Sequence, residues 1–390
     1  MKRIVSLCLL FCLCLSPLTS LAEETPQLTV TAPSAILIEA GTGQVLFEKN
    51  SHEKRHPASV TKIMTMLLTV EAIDNGQIKL EDMVRCSDVA ASMGGSQVYL
   101  EPNEEMSVRD MLKAVAVASG NDAAVALAEH IAGSLEGFVT MMNQRAEELG
   151  MKDTHFVNCN GLDDPEHLTS AYDIALMSRE LTKHPLIFEF TGIWMDSLRN
   201  GAFGLVNTNK LIRFYEGATG LKTGSTSVAK YCLSASATRN DMTLIAVVLG
   251  ADSSKDRFGD ASRLMDYGFA NYAIAGTLLT PEDLPSVTVV KGVSPQVEST
   301  VSKDFHVLVS KNKLNSIEKK ITLSDSVTAP VHIGDKLGEA EFFIDGKPIG
   351  GTDIVAKEAV NKIGFMGMFG KLAKQLLFGN TTQTLSDSVK

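Results

Sequence analysis

The sequence has few aromatic residues: one Trp, six Tyr and 16 Phe among 390. It also lacks a basic excess, since 36 Lys and Arg stand against 46 Asp and Glu for a formal net charge of −10. With no basic stripe interleaved with aromatics, a nucleic-acid partner is not expected. Cysteine is scarce as well. Three of the six, Cys8, Cys12 and Cys14, crowd the first residues, and Cys86, Cys159 and Cys232 are odd in number and widely spaced. That excludes a disulfide framework and a metal-ligand pattern, leaving one bridge or free buried thiols. No motif calls for a metal or an organic cofactor.

What is present fits a globular chain of two or three domains with a large core: 44% of residues are hydrophobic. Residues 1–22 have the pattern of a secretory signal peptide: basic Lys2 and Arg3, an apolar run from Ile4 to Leu15, then Ser20-Leu21-Ala22 before a cleavage site. The apolar run is short of the roughly 20 residues a membrane span needs, which disfavours an uncleaved anchor. Bulky Phe11 before Cys12 disfavours a lipoprotein. The chain is expected to be exported to the outer face of the cytoplasmic membrane.

Residues 27–280 read as one α+β domain. Ser34 to Asn50 predicts a hairpin around Gly41-Thr42-Gly43. Helical patterning dominates from Pro57 to about Glu189, with Ser107 and Asp110 at capping spacing and Gly133 and Gly150 as stops. Strand patterning returns near Gly220, where "KYCLSASA" and "MTLIAVVLG" flank a turn at Thr238 to Asp241, and a last helix follows. Strands at both ends can join one antiparallel sheet packed by helices. Residues 285–356 alternate as a small all-β domain. Residues 359–379 read as a basic amphipathic helix, suited to lying in a membrane surface or to packing back on the domain. Gly364, Gly367 and Gly370 weaken its helicity in water.

The chemistry-bearing pattern begins with "PASVTKIMTMLLTV". Ser59 and Lys62 stand three apart at the head of an apolar run. A lysine drawn from water loses affinity for its proton, and a neutral amine can accept the proton of a nearby hydroxyl. The positive end of the helix dipole favours an anion developing at Ser59. Ser-x-x-Lys alone is a weak signal. About 60 residues on, Ser119-Gly120-Asn121 interrupts a helical pattern, and about 100 further, Lys222-Thr223-Gly224-Ser225 opens a strand. Lys222 and Thr223 offer a cation and a hydroxyl to a carboxylate, and Gly224 lets a substrate backbone run close beside the strand. The three motifs in this order match the set of penicillin-binding proteins and class A β-lactamases.

With "SAILIEAGTGQVLFEKN", "RHPASVTKIMT", "ASGNDAA", "FVNCNGL" and "GLKTGST" in order, the chain resembles the serine-type D-alanyl-D-alanine carboxypeptidases, low-molecular-mass penicillin-binding proteins of peptidase family S11, over nearly its whole length. The resemblance implies a β-lactamase/transpeptidase-like fold and removal of the terminal D-alanine from peptidoglycan stem pentapeptides. It implies Ser59 as acylated nucleophile, Lys62 as general base and Ser119 as proton relay. It implies Asn121 as holder of a substrate amide, Lys222 and Thr223 as carboxylate ligands, and the backbone N–H groups of Ser59 and Ser225 as oxyanion hole. Arg257, placed just before the last helix, is a second carboxylate contact or a surface arginine. β-Lactams and the membrane surface are the other implied partners. Cys159 departs from the proline expected of relatives, at a position expected to lie away from the motifs. A D,D-endopeptidase would use the same residues. A class A β-lactamase would need a Glu-x-x-Leu-Asn element, whereas Leu314-Asn315 follows Lys311. A non-catalytic wall-binding protein would be expected to lose Ser59 or Lys62.

Overall fold

The computed structural model describes residues 28–276 and 278–378; the segment read as a signal peptide and the polar tail from Thr381 lie outside them. The first two strands, β1 (Ser34–Glu39) and β2 (Val45–Lys49), form the expected hairpin. The three strands β3 (Ala218–Thr226), β4 (Lys230–Arg239) and β5 (Met242–Ala251) form a meander. They join in one antiparallel five-stranded sheet of order β2-β1-β5-β4-β3. The β4–β5 turn is tighter than the sequence suggested. The strands run on to Arg239 and from Met242, leaving only Asn240 and Asp241, both with positive φ, as a two-residue hairpin turn.

The sheet is buried on both faces, which is why β5 reads as a nearly continuous apolar run. Ile245, Val247 and Leu249 face one core with Ile36 and Ile38. Leu244, Ala246 and Val248 face the other with Ala35 and Leu37. The first core is filled by a helical body: α1 (Lys62–Asp74), α2 (Val108–Lys113), α3 (Asn121–Ala132), α4 (Leu135–Glu148) and α5 (Ala171–Thr182). Ser107, Ser134 and Ser170 cap α2, α4 and α5 by accepting from a backbone N–H three residues on. The second core lies under α6 (Ser254–Asn271).

Two short two-stranded sheets, Met83–Arg85 with Glu105–Ser107 and Met195–Leu198 with Phe203–Val206, interrupt the helical region. Their strands are too short to show a period of two. Beyond α6, strand β6 (Tyr272–Ala275) precedes β7 (Val287–Val290), β8 (Gln296–Val297), β9 (Ser299–Val301), β10 (Val307–Ser310), β11 (Ile317–Leu323), β12 (Ser326–Thr328), β13 (Lys336–Ile344) and β14 (Lys347–Ala356). A three-stranded sheet β8-β7-β12 and a four-stranded sheet β9-β14-β13-β11 make the all-β unit. Strand β10 pairs antiparallel with β6 instead, and Lys311 Nζ donates to Phe269 O at the end of α6, so this stretch ties the two units together. The last described element is α7 (Phe365–Phe378).

Candidate active site

Ser59 sits in a turn of 3₁₀ helix, Ala58–Thr61, ahead of α1. In that geometry residues three apart eclipse one another, and Lys62 Nζ comes to 3.0 Å from Ser59 Oγ. The apolar run Ile63–Val70 draws α1 into the core and takes Lys62 with it to full burial. The Nζ also donates to Asn121 Oδ1 at 2.5 Å and to the Asn160 carbonyl at 2.7 Å. Burial lowers the Lys62 pKa from 10.5 to about 7, against the opposing pull of Cys159 and Asp122. The amine is therefore in reach of its neutral form near neutral pH.

Ser119 and Asn121 arrive from the junction of α2 and α3. A single π turn, Ala114–Ala118, widens and underwinds the end of α2, a device frequent at functional sites. It ends on Ser119 in a left-handed conformation, φ 63°, uncommon for a serine. Buried Asp122 locks this corner by accepting from the N–H groups of Val98, Leu100 and Ala123. Asn121 Nδ2 donates to the Gly94 carbonyl at 2.6 Å, so its side chain bridges Lys62 and the Gly94 loop. Among the described residues Ser119 Oγ has no hydrogen-bond partner.

Strand β3 supplies the third wall. Lys222 is fully buried and donates to the carbonyl of Thr223 at 2.8 Å. Burial, reinforced by the neighbouring charges of Lys62 and Arg257, pushes its pKa well down. The Thr223 hydroxyl donates to Thr208 Oγ1 at 2.6 Å, and Ser225 is exposed at the strand's end. Gly224 has a reason the sequence reading missed. A Cβ there would lie 2.8 Å from Ser59 N and 2.9 Å from both Pro57 O and Val60 N. Glycine lets the strand pack on the nucleophile's own backbone, whatever it also allows a substrate.

Arg257 lies within the first turn of α6 rather than before it, and it is buried rather than on the surface. Its Nη1 donates to the carbonyls of Gly224 and Cys232, paired residues of β3 and β4, at 3.0 and 3.1 Å. The guanidinium stacks near Tyr231 and Phe258, and burial lowers its pKa to about 10. It braces the strand pair behind Lys222. Cys159 is likewise not remote. Its carbonyl accepts from Thr65 Oγ1 at 2.5 Å, one turn along α1 from Lys62. All three described cysteines are free and buried. Sequence reasoning missed the contributions of Asn160 and Asp122. A carbonyl ligand such as Asn160 O leaves no side-chain signature.

Fold and site together define the class: a serine hydroxyl beside a buried lysine amine, at the edge of an antiparallel sheet packed by helices. Residues 20–253 match the family described as D-alanyl-D-alanine carboxypeptidase, and residues 280–362 match the C-terminal domain of penicillin-binding protein 5. The chain belongs to the D-alanyl-D-alanine carboxypeptidase family. It is 47% identical over 348 residues to D-alanyl-D-alanine carboxypeptidase DacF of Bacillus subtilis, covering 88% of this chain and 90% of that protein. It is 34% identical to DacC of Escherichia coli, covering 90% of each. Penicillin-binding protein 5 of Haemophilus influenzae superposes with a TM-score of 0.70 at 31% identity, over 86% of this chain and 98% of that one. Penicillin-binding protein D2 of Listeria monocytogenes, solved in an ampicillin-bound form, superposes with a TM-score of 0.57 at 32% identity, over 63% of this chain and all of that one.

Proposed function

We propose that this carboxypeptidase cleaves the terminal D-Ala-D-Ala bond of peptidoglycan stem pentapeptides through an acyl-enzyme on Ser59. One observation carries the reading: Lys62 Nζ has three neighbours, and two of them, Asn121 Oδ1 and Asn160 O, can only accept. A neutral amine spends its two protons on these carbonyls. Its lone pair then faces Ser59 Oγ and can take the hydroxyl proton.

In the proposed sequence Lys62 takes the Ser59 proton as Oγ attacks the scissile carbonyl carbon. The backbone N–H groups of Ser59 and Ser225 receive the oxyanion. The proton passes from Lys62 through Ser119 to the departing amine, and the C–N bond breaks to release D-alanine. Water then attacks the ester under the same base and regenerates Ser59. Asn121 Nδ2 has a second proton, beyond the one given to Gly94 O, for the substrate amide carbonyl. The terminal carboxylate meets Lys222 and Thr223, with Arg257 adding positive charge from behind. An arriving carboxylate favours the charged form of Lys222. A β-lactam acylates Ser59 by ring opening, so no leaving group departs.

The place of action we propose is the membrane surface of the cell envelope. No described helix is long and apolar enough to cross a membrane. Yet α7 begins with Phe365, Met366 and Phe369, which are 83%, 80% and 65% exposed, as an interfacial helix requires. The activity is checked by product analysis. Wild type should release free D-alanine from a pentapeptide, and Ser59→Ala should release none. Cleavage of cross-linked dimer without release of D-alanine from the monomer would replace the reading with an endopeptidase.

A further inference from the structure

His167 is 1% exposed and lies outside every motif above. Its Nδ1 accepts from the Val157 N–H at 2.9 Å. That fixes the tautomer: the proton is on Nε2, which donates to Thr61 Oγ1 at 2.8 Å. Thr61 in turn donates its own proton to the Ala58 carbonyl at 2.8 Å. Ala58 is the residue before the nucleophile, and its φ of 49° is a conformation an alanine adopts at a cost. Gly161, at φ 85°, lies against the same carbonyl, since a Cβ there would come within 1.9 Å of Ala58 O. The relay thus runs from a backbone N–H through a buried imidazole and a hydroxyl to the one peptide group that sets the direction of the Ser59 N–H and side chain.

We propose that His167 is a positioning residue for catalysis: acting through Thr61, its imidazole holds the Ala58 carbonyl and so the left-handed turn that presents Ser59. The relay works only with a neutral ring, because a protonated one would turn a second N–H toward Val157 N–H. The surroundings keep it neutral. Burial lowers its pKa from 6.5 to about 4, opposed by Asp164 and assisted by His56 and His155. Thr61 sits between Ser59 and Lys62, so loss of its contact reaches both partners of the proton transfer.

The inference rests on the acyl-enzyme reading, and the test separates the two. Acylation by a fluorescent penicillin is followed over a range of concentrations for the full chain and three variants. His167→Gln keeps an N–H within reach of Thr61. His167→Asn keeps an acceptor for Val157 but is too short to reach Thr61. Thr61→Val removes the hydroxyl at constant shape. The expected result is a saturating acylation rate within about threefold of wild type for Gln and lower by about tenfold for Asn and Val, the worth of one buried hydrogen bond. Half-saturating concentrations should stay unchanged. If wild type labels and the Asn and Val variants match its rate, or if Gln falls as far as Asn, His167 is not a positioning residue. If wild type itself does not label, the acyl-enzyme reading fails first.

Discussion

A lysine with a pKa of about 7 is both a base and a cost. The burial that lowers its pKa suits it to accept a proton near neutral pH, and Asn121 Oδ1 and Asn160 O offset part of that cost with hydrogen bonds. Lys62→Met removes the base while keeping the stem's length. Penicillin acylation should fall by roughly 10²- to 10⁴-fold, the usual worth of a positioned base; a fall under tenfold would mean another group takes the Ser59 proton. His167 makes a separate, thermodynamic prediction. Its folded pKa lies below its ordinary value, so its neutral form stabilises the fold fully above pH 6.5. That contribution, about 3 kcal/mol, is lost as pH falls from 6.5 to about 4. Denaturant midpoints measured at pH 7.5 and 4.5 should drop more for wild type than for His167→Gln. Equal drops would show that the imidazole is not held neutral.

At the scale of elements, the site is a junction of a 3₁₀ turn, a corner widened by a π turn and a strand that packs on backbone. Gly224→Ala places a methyl group against three backbone atoms of the Ser59 turn. It should cost about 1–3 kcal/mol by overpacking and slow acylation, read as a lower melting temperature together with weaker labelling. Unchanged values for both would mean the turn and strand have slack that these contacts deny. The main sheet and long helices were legible in the sequence because burial writes period and capping into the residues: β5 is apolar on both faces, and Ser107 caps α2 as its spacing to Asp110 suggested. The π turn was not legible, since Ala114 to Ala118 is an ordinary apolar helical run. Nor were the short two-stranded sheets, whose strands end before alternation can show. Ser59, Lys62, Ser119, Asn121 and Lys222 could be singled out in the sequence because a candidate reacting or binding group must be a particular side chain. The role of Gly224 against Ser59 was not, because it depends on a contact across some 165 positions.

At the scale of the whole molecule, the catalytic and all-β units share the β6–β10 pair, so composition placed the change of texture near Pro281 while pairing begins at Tyr272. Long-range pairing of this kind has no local signal. The all-β unit also extends past β14: Val360 is 2% exposed in its core. A truncation meant to remove only the proposed membrane contact therefore belongs after Gly364, not after Ala356. Full-length mature protein should float with anionic lipid vesicles, and the form ending at Gly364 should stay in the soluble fraction with its penicillin labelling intact. Flotation of the shortened form would place the membrane contact elsewhere.

The central claim is that neutral Lys62 activates Ser59, and the pH dependence of the second-order rate constant for penicillin acylation tests it most directly. The rate should rise through a midpoint near pH 7 as Lys62 loses its proton and level off above it. A rate that is flat between pH 5 and 9, or that falls through neutrality, would contradict the account.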